Sequence, residues 1–287
     1  MNNKEFLRKM AEYDQKNKLT VSEREELWDM ALGLQSVDGY SDPSIILTIL
    51  SSYNIENQLS EEKVTEYLSK YYRYMEMKLA KQKEIDLVSS RIVSFLKQDH
   101  SFSLSSNYIK QIHHYLFQDV YDFAGEYRQT SLISKETILN GDHICFTPPY
   151  EIEPTLNYEF QQEKYFSYNH QYSEQVIEHL IYFISSIWQI HPFKEGNTRT
   201  IAIFIQQYLK YLGYNVNNAP FKENSLYFRN ALVRSQYQNA KLKINYSYEG
   251  LRKFFENLLL DKNHILDSDS LKVYSEDETV KYKVKKY

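Results

Sequence analysis

The sequence predicts a mainly α-helical fold carrying one short β-hairpin, and three observations predict it. The 287-residue chain has only 7 Gly and 6 Pro, few enough breaks to favour long helices over a many-stranded sheet. Its apolar residues, 42% of the total, recur with helical spacing in segment after segment. That period breaks clearly once, over residues 123–150.

The elements follow in order. Residues 1–82 read as a small helical region built on EREELWDMALGLQ (23–35), PSIILTILSSYNI (43–55) and SEEKVTEYLSKYYRYMEMKLAK (60–81). Ser60, Glu61 and Glu62 suit the N-terminus of the third. Helical patterns continue over 84–122, where His113 and His114 are neighbours. Neighbours point to different sides of a helix, and a helical metal pair needs spacing of three or four, so both read as ordinary core and surface histidines. Over 123–150, alternation in SLISKETIL and HICF surrounds Asn140-Gly141-Asp142 and ends at Pro148-Pro149. Asn-Gly between alternating runs signals a hairpin. A lone hairpin cannot form core sheet here, so it reads as a flap over a site. Two helices are expected over 154–190, one over 198–213 stopped at Gly213, one over 224–239 and a last one over 247–262. The tail, 263–287, alternates around an acidic turn and is read as either a second hairpin or disordered chain. There are no internal repeats.

The net charge of −4 gives no support to nucleic-acid binding, which calls for a strongly basic domain. Cys145 is the sole cysteine, so no internal disulfide can form and a reducing, cytoplasmic setting is expected. The N-terminal residues MNNKEFLRKMAEYDQ lack an apolar signal core, and no stretch of about 18 uncharged apolar residues occurs, so neither secretion nor membrane spanning is expected.

The functional signal is HPFKEGNTRT, residues 191–200, set between two strongly apolar segments. Pro192 disfavours helix at His191. Gly196 permits a tight loop, and Asn197 or Thr198 can cap the next helix. A helix start presents free N–H groups and partial positive charge, which suits phosphate. Arg199 can clamp phosphate oxygens. Glu195 offers a hard oxygen ligand that suits Mg²⁺ together with substrate phosphates. His191 is the side chain suited to proton transfer near neutrality. The same residue types also fit a capped interhelical turn with a satisfied histidine.

His191-Pro192-Phe193-x-Glu195-Gly196-Asn197-x-Arg199 resembles the signature of the Fic (filamentation-induced-by-cAMP) family, HPFx[D/E]GN[G/K]RxxR. Phe123-Ala124-Gly125-Glu126-Tyr127-Arg128 resembles that family's FAGxxR entry to a target-binding flap, and the resemblance runs from about 85 to 260. It implies a Fic-type helical bundle with a hairpin flap over the active site. It divides the chain into a regulatory region (1–82), a catalytic domain (83–262) and the tail. It implies transfer of AMP from ATP to a Ser, Thr or Tyr hydroxyl of a target protein, with His191 taking the proton and Glu195 holding Mg²⁺. Gly196, Asn197, Thr198 and Arg199 would cradle the phosphates, and Phe193 would anchor the loop in the core. The flap, Gly141, Asp142, His143 and Ile144, would pair with the target backbone. The adenine pocket would draw on Tyr227, Phe228 and Arg229.

Two positions depart from the pattern: Ala202 stands where the family keeps a second Arg that grips the γ-phosphate side, and Thr198 replaces a small Gly. Another donor (a different nucleotide, phosphate or phosphocholine), removal of AMP, and a non-enzymatic binding module therefore stay open as alternatives. ATP and a target protein are the expected partners, with no membrane and no nucleic acid; a homo-oligomer is left open. Ser52, Glu56 and Asn57, in SYNIEN, resemble the family's inhibitory pattern [S/T]xxxE[G/N], which implies a brake by an N-terminal helix whose Glu competes with phosphate for the second Arg. Phe255-Glu256-Asn257 lacks the Ser or Thr, having Arg252 there, and is set aside.

Overall fold

The chain folds into ten α-helices among the residues described by the computed structural model, which are residue 5 and residues 19–40, 42–75, 80–98, 101–169, 172–216 and 218–273. In order they are α1 (Val21–Gly33), α2 (Ile45–Ile55), α3 (Glu61–Tyr74), α4 (Ala80–Lys97), α5 (Ser106–Phe117), α6 (Ile152–Glu163), α7 (Glu174–Ile190), α8 (Asn197–Tyr211), α9 (Ala219–Gln236) and α10 (Glu249–Leu260). Side-chain caps set where several begin. Thr20 and Glu23 exchange bonds in a capping box at α1. Ser44, Ser60, Ser105 and Ser173 each accept a backbone N–H at the starts of α2, α3, α5 and α7.

One continuous apolar cluster holds these helices. Trp28 and Leu34 from the N-terminal region belong to it along with Leu68, Ile92, Phe117, Trp188, Phe204, Phe228 and Phe254. The N-terminal helices thus pack into the body and do not sit beside it. Buried polar groups add ties between them. Trp28 Nε1 donates to Asn54 Oδ1 at 2.8 Å. Asp86, fully buried on α4, accepts from Tyr72 Oη at 2.6 Å and from the Ser44 backbone and hydroxyl. At the end of α1, a Cβ on Gly33 would lie 2.2 Å from the Lys222 carbonyl oxygen. Only glycine allows that approach of α1 to α9, and it delivers the following 3₁₀ turn, Leu34–Asp38, toward the hinge loop.

The hairpin consists of β1 (Ile133–Lys135) antiparallel to β2 (His143–Cys145), in register Ile133↔Cys145. The Asn140-Gly141 signal is real but not a two-residue turn. A 3₁₀ turn, Thr137–Leu139, intervenes, and Asn140 and Gly141 take left-handed conformations after it. The connection is fastened on its outer side: Tyr237 Oη donates to Asp142 Oδ2 at 2.6 Å, and Val273 N donates to the Ile138 carbonyl at 2.8 Å. Residues 274–287, where a second hairpin was one reading, lie outside the described residues. Among the described residues no helix is long and apolar enough to cross a membrane.

Candidate active site

The break between α7 and α8 builds the site. α7 ends at Ile190 because His191 precedes proline, and His191 takes a left-handed conformation (φ 49°) that turns the chain out of the helix. Arg128, from the FAGEYR stretch, holds this turn. Its Nε donates to the His191 carbonyl at 2.8 Å, its guanidinium also bonds the Ile190 and Thr147 carbonyls, and its backbone N–H bonds the Pro192 carbonyl. These bonds satisfy carbonyls that a helix end leaves open. His113 ties the other side of the loop, accepting the Gly125 N–H at 2.8 Å and meeting the Glu195 carbonyl at 3.1 Å while its ring stacks on Phe193. His114 is exposed. The two histidines are scaffold, as their spacing indicated.

Gly196 is the N-cap of α8, with φ 76° and no side-chain cap bond. A Cβ there would fall 2.4 Å from the Phe117 ring. Substituting Ala adds a left-handed penalty of about 1 kcal/mol to an overpacking cost of about 1–3 kcal/mol. Gly196→Ala is therefore expected to lower the thermal unfolding midpoint by several degrees, which calorimetry would read. An unchanged midpoint would mean that Phe117 moves aside freely.

His191 is covered by Phe146, whose ring stacks on it at 3.8 Å. Nδ1 lies 3.3 Å from the Trp188 carbonyl. A carbonyl only accepts, so the hydrogen sits on Nδ1 and Nε2 is the basic nitrogen. Burial pushes the imidazole pKa from 6.5 down to about 3, and the charges of Arg229 and Arg128 act in the same direction. The ring is thus neutral, with Nε2 unprotonated. Its cavity, about 160 Å³, is also lined by Glu195, Gly196, Asn197, Thr198, Arg229 and the β1 residues Ile133 and Ser134.

Several expected residues have other work. The Asn197 side chain does not face a ligand: Oδ1 accepts from Phe193 N at 2.9 Å and Nδ2 donates to the Phe193 carbonyl at 2.8 Å, stapling the loop. Thr198 Oγ1 accepts from Trp188 Nε1 at 3.1 Å. Neither residue caps α8 through its side chain. Tyr227 and Phe228 are core residues that do not line the cavities around His191 and Arg199, Phe228 packing on Phe221 and Phe254. Arg229 does line both. The cavity-facing part of the flap is β1 and Phe146, whereas Gly141, Asp142, His143 and Ile144 are not among its lining residues and Ile144 is buried.

Arg199 is buried beside a second cavity of about 540 Å³, and acidic and amide groups surround it. Nη2 lies 2.8 Å from Asp38 Oδ2 and 2.5 Å from Glu84 Oε1, and Nη1 donates to Gln35 Oε1 at 3.0 Å. Burial works against its charge, but Asp38 and Glu84 outweigh it and hold the pKa above the ordinary arginine value. The same crowding acts on Glu195, which also lines this cavity: burial raises its pKa, and Asp38 and Glu84 add to the rise. Asp38 and Gln35 come from the 3₁₀ turn after α1, and Glu84 from α4.

The Ser52-Glu56-Asn57 pattern lies elsewhere. Glu56 is exposed and accepts from Gln58 Nε2 at 2.7 Å. Ser52 Oγ bonds the Thr48 carbonyl at 2.9 Å. Asn57 takes a left-handed conformation (φ 59°) just past the end of α2, a common way to close a helix. Arg24 Nε holds that end through the Ile55 carbonyl at 3.0 Å. The residues that meet Arg199 are Gln35, Asp38 and Glu84, which pattern reading missed. Glu256, in the pattern set aside, bonds His264 and Lys262.

The Fic/DOC family profile matches residues 103–209. Over 155 residues, 54% of this chain, the sequence is 24% identical to "Protein adenylyltransferase VbhT" of Bartonella schoenbuchensis (strain DSM 13525 / NCTC 13165 / R1) and covers 31% of that protein. Over 126 residues, 44% of this chain, it is 28% identical to "Probable protein adenylyltransferase y4lH" of Sinorhizobium fredii (strain NBRC 101917 / NGR234), covering 62% of it. The chain thus spans less than two thirds of either relative. The fold is similar to the N-terminal FIC domain of Bep8, a VirB-translocated Bartonella effector protein from Bartonella sp. 1-1C, with TM-score 0.51 and 18% identity over 66% of this chain and 88% of that one. The residues that match the Fic/DOC family profile take in the entry to the flap, the hairpin, the hinge loop and all but the last two residues of α8.

Proposed function

We propose that this protein transfers AMP from ATP to a Ser, Thr or Tyr hydroxyl of a target protein. The observation that carries this reading is the shared cavity, where the neutral base His191, the Glu195 carboxylate, the start of α8 and strand β1 line one space. The names of the two curated relatives point the same way. In the proposed reaction the acceptor hydroxyl, aligned along β1 by strand addition, attacks the α-phosphorus. His191 Nε2 takes the hydroxyl proton. The bond from the α-phosphorus to the oxygen that bridges to the β-phosphate breaks, and pyrophosphate leaves. The free N–H groups at the start of α8 stabilise the charge that builds on the phosphate oxygens.

Among the described residues no group of three or more His, Cys, Asp and Glu could hold a metal ion. Glu195 alone fits Mg²⁺ that arrives on nucleotide phosphates, because Mg²⁺ keeps several waters and takes few protein ligands. When bound, Mg²⁺ would neutralise phosphate charge. The brake in this reading is not Glu56 but the turn carrying Gln35 and Asp38, which ties up Arg199 where phosphate would need it.

Two measurements test the reading. The first is transfer of label from α-phosphate-labelled ATP onto the protein itself, compared with GTP, CTP and UTP. Absence of label from every donor would reject nucleotide transfer. The second is the pH profile. The folded pKa of His191 is depressed, so the base stays neutral as pH falls from about 7.5 to about 5.5. The folded pKa of Glu195 is raised, so it takes up a proton as pH falls, and metal holding weakens. The expected acid limb therefore moves to lower pH when Mg²⁺ is increased. A limb near 6.5 that ignores Mg²⁺ would mean that His191 titrates as an ordinary histidine.

A further inference from the structure

Arg199 is the obvious phosphate clamp of the hinge, but its surroundings leave it little charge to offer. Three carboxylates, Asp38, Glu84 and Glu195, line the same cavity. Glu84 comes from α4, in the body of the fold, so movement of the N-terminal turn alone would not remove it. Ala202 is fully buried on α8 and brings no charge. A polyphosphate chain entering here with its Mg²⁺ would be held more strongly by a second protein cation.

Two further cations line these cavities. Lys194 is exposed, with Nζ 5.4 Å from the Phe123 ring centroid. Arg229 is different in kind. It lines both the His191 cavity and the Arg199 cavity, and so stands where they meet. Its charge is felt at His191. It is fixed by a two-pronged pair with Glu136, Nη1 to Oε2 at 2.7 Å and Nη2 to Oε1 at 2.9 Å. Glu136 is buried and also accepts from Ser134 Oγ of β1 at 2.6 Å. The two bonds to Glu136 use two of the five guanidinium N–H donors and leave three. A fork held this way is pre-organised, which a free lysine is not.

We infer that Arg229 contacts the donor phosphates beyond the α-phosphate, supplying from α9 the cation that α8 lacks at position 202, and that Glu136 holds it there. It is thus not an adenine-pocket residue. The inference rests on the proposed use of a nucleoside triphosphate. It also joins the acceptor side to the donor side, since Ser134 and Glu136 belong to the hairpin segment and Arg229 to the phosphates.

The test compares two probes by calorimetry: Mg²⁺ with the non-hydrolysable triphosphate adenylyl imidodiphosphate, and AMP. Both are titrated into the full chain carrying Asp38→Ala, with and without R229Q. R229Q is expected to weaken the triphosphate about tenfold and AMP less than about twofold, with R229K recovering part of the loss. The paired variant E136Q/R229Q removes the buried carboxylate with its cation and is expected to show the same selectivity, which keeps the test valid if R229Q alone unfolds. Equal losses for both probes, or no loss for either, would overturn the assignment. So would a parent protein that binds AMP and gains nothing from the outer phosphates. A parent protein that binds neither probe removes the nucleotide reading itself, and this inference with it.

Discussion

His191→Ala should lower transfer of labelled AMP by about 10²–10⁴-fold, the usual worth of a positioned general base, while far-ultraviolet circular dichroism stays as in the parent. The reason is that the two carboxylates lining the same cavity, Asp38 and Glu195, have other partners in this reading. Glu195 is the carboxylate proposed to hold Mg²⁺, and Asp38 is paired with Arg199. The imidazole is held with Nδ1 on the Trp188 carbonyl and its face on Phe146, so its basic nitrogen is both neutral and fixed in direction. Removal of the ring leaves Phe146 without its stacking partner, and a modest fall in the unfolding midpoint is expected. The backbone turn should survive, because Arg128 holds the carbonyls of Ile190 and His191 and does not touch the ring. Transfer within tenfold of the parent would show that the hydroxyl proton leaves by another route.

How much of this was legible in the sequence follows from the range of the forces involved. The helices declare themselves by local means, apolar period and serine caps, so Ser60 caps the start of α3 and α8 runs out before Gly213 as read. The hinge was legible for the same reason: Pro192 ends a helix and Gly196 starts one, whatever the rest of the chain does. The hairpin was legible in kind but not in length. Asn140-Gly141 marks a turn, yet Ile138 and Leu139 are drawn into the core, and that burial converts the chain before the turn into a 3₁₀ segment.

The contents of the site were less legible. Asn197 looks like a ligand because it is polar and beside a loop, but a loop this tight leaves the Phe193 backbone in need of partners, and the amide meets both. Tyr227 and Phe228 immediately precede Arg229 in sequence, but on a helix consecutive residues face different ways. Only Arg229 reaches the cavity. The partners of Arg199 were invisible for a further reason: Gln35 lies 164 positions away and Glu84 lies 115 away. A 3₁₀ turn has no lasting period, so nothing in GLQSVDG announces that it will enter a site. SYNIEN satisfied the inhibitory pattern through ordinary helix-ending chemistry.

The turn, then, is where the brake should be tested. Asp38→Ala is expected to raise self-labelling about tenfold, and Glu56→Gly to leave it unchanged. A hydrogen bond to a charged group contributes about 1.5–3 kcal/mol when buried. The Asp38 side chain is 30% exposed, which argues for the lower end, and about 1.4 kcal/mol corresponds to tenfold. The gain is limited on purpose of geometry: Glu84 and Gln35 still hold Arg199 after Asp38 is gone. A Gln35→Ala/Asp38→Ala pair should therefore exceed the single variant, because it leaves Glu84 as the remaining partner in that trio. Glu56 has no such leverage, being exposed and bonded to Gln58 at the far end of α2. Label that rises in Glu56→Gly and stays flat in Asp38→Ala would return the brake to the SYNIEN segment and require α2 to move. Label that stays flat in both, with His191→Ala still dead, would mean that Asp38 only anchors the turn and that Glu84 alone sets the charge of Arg199.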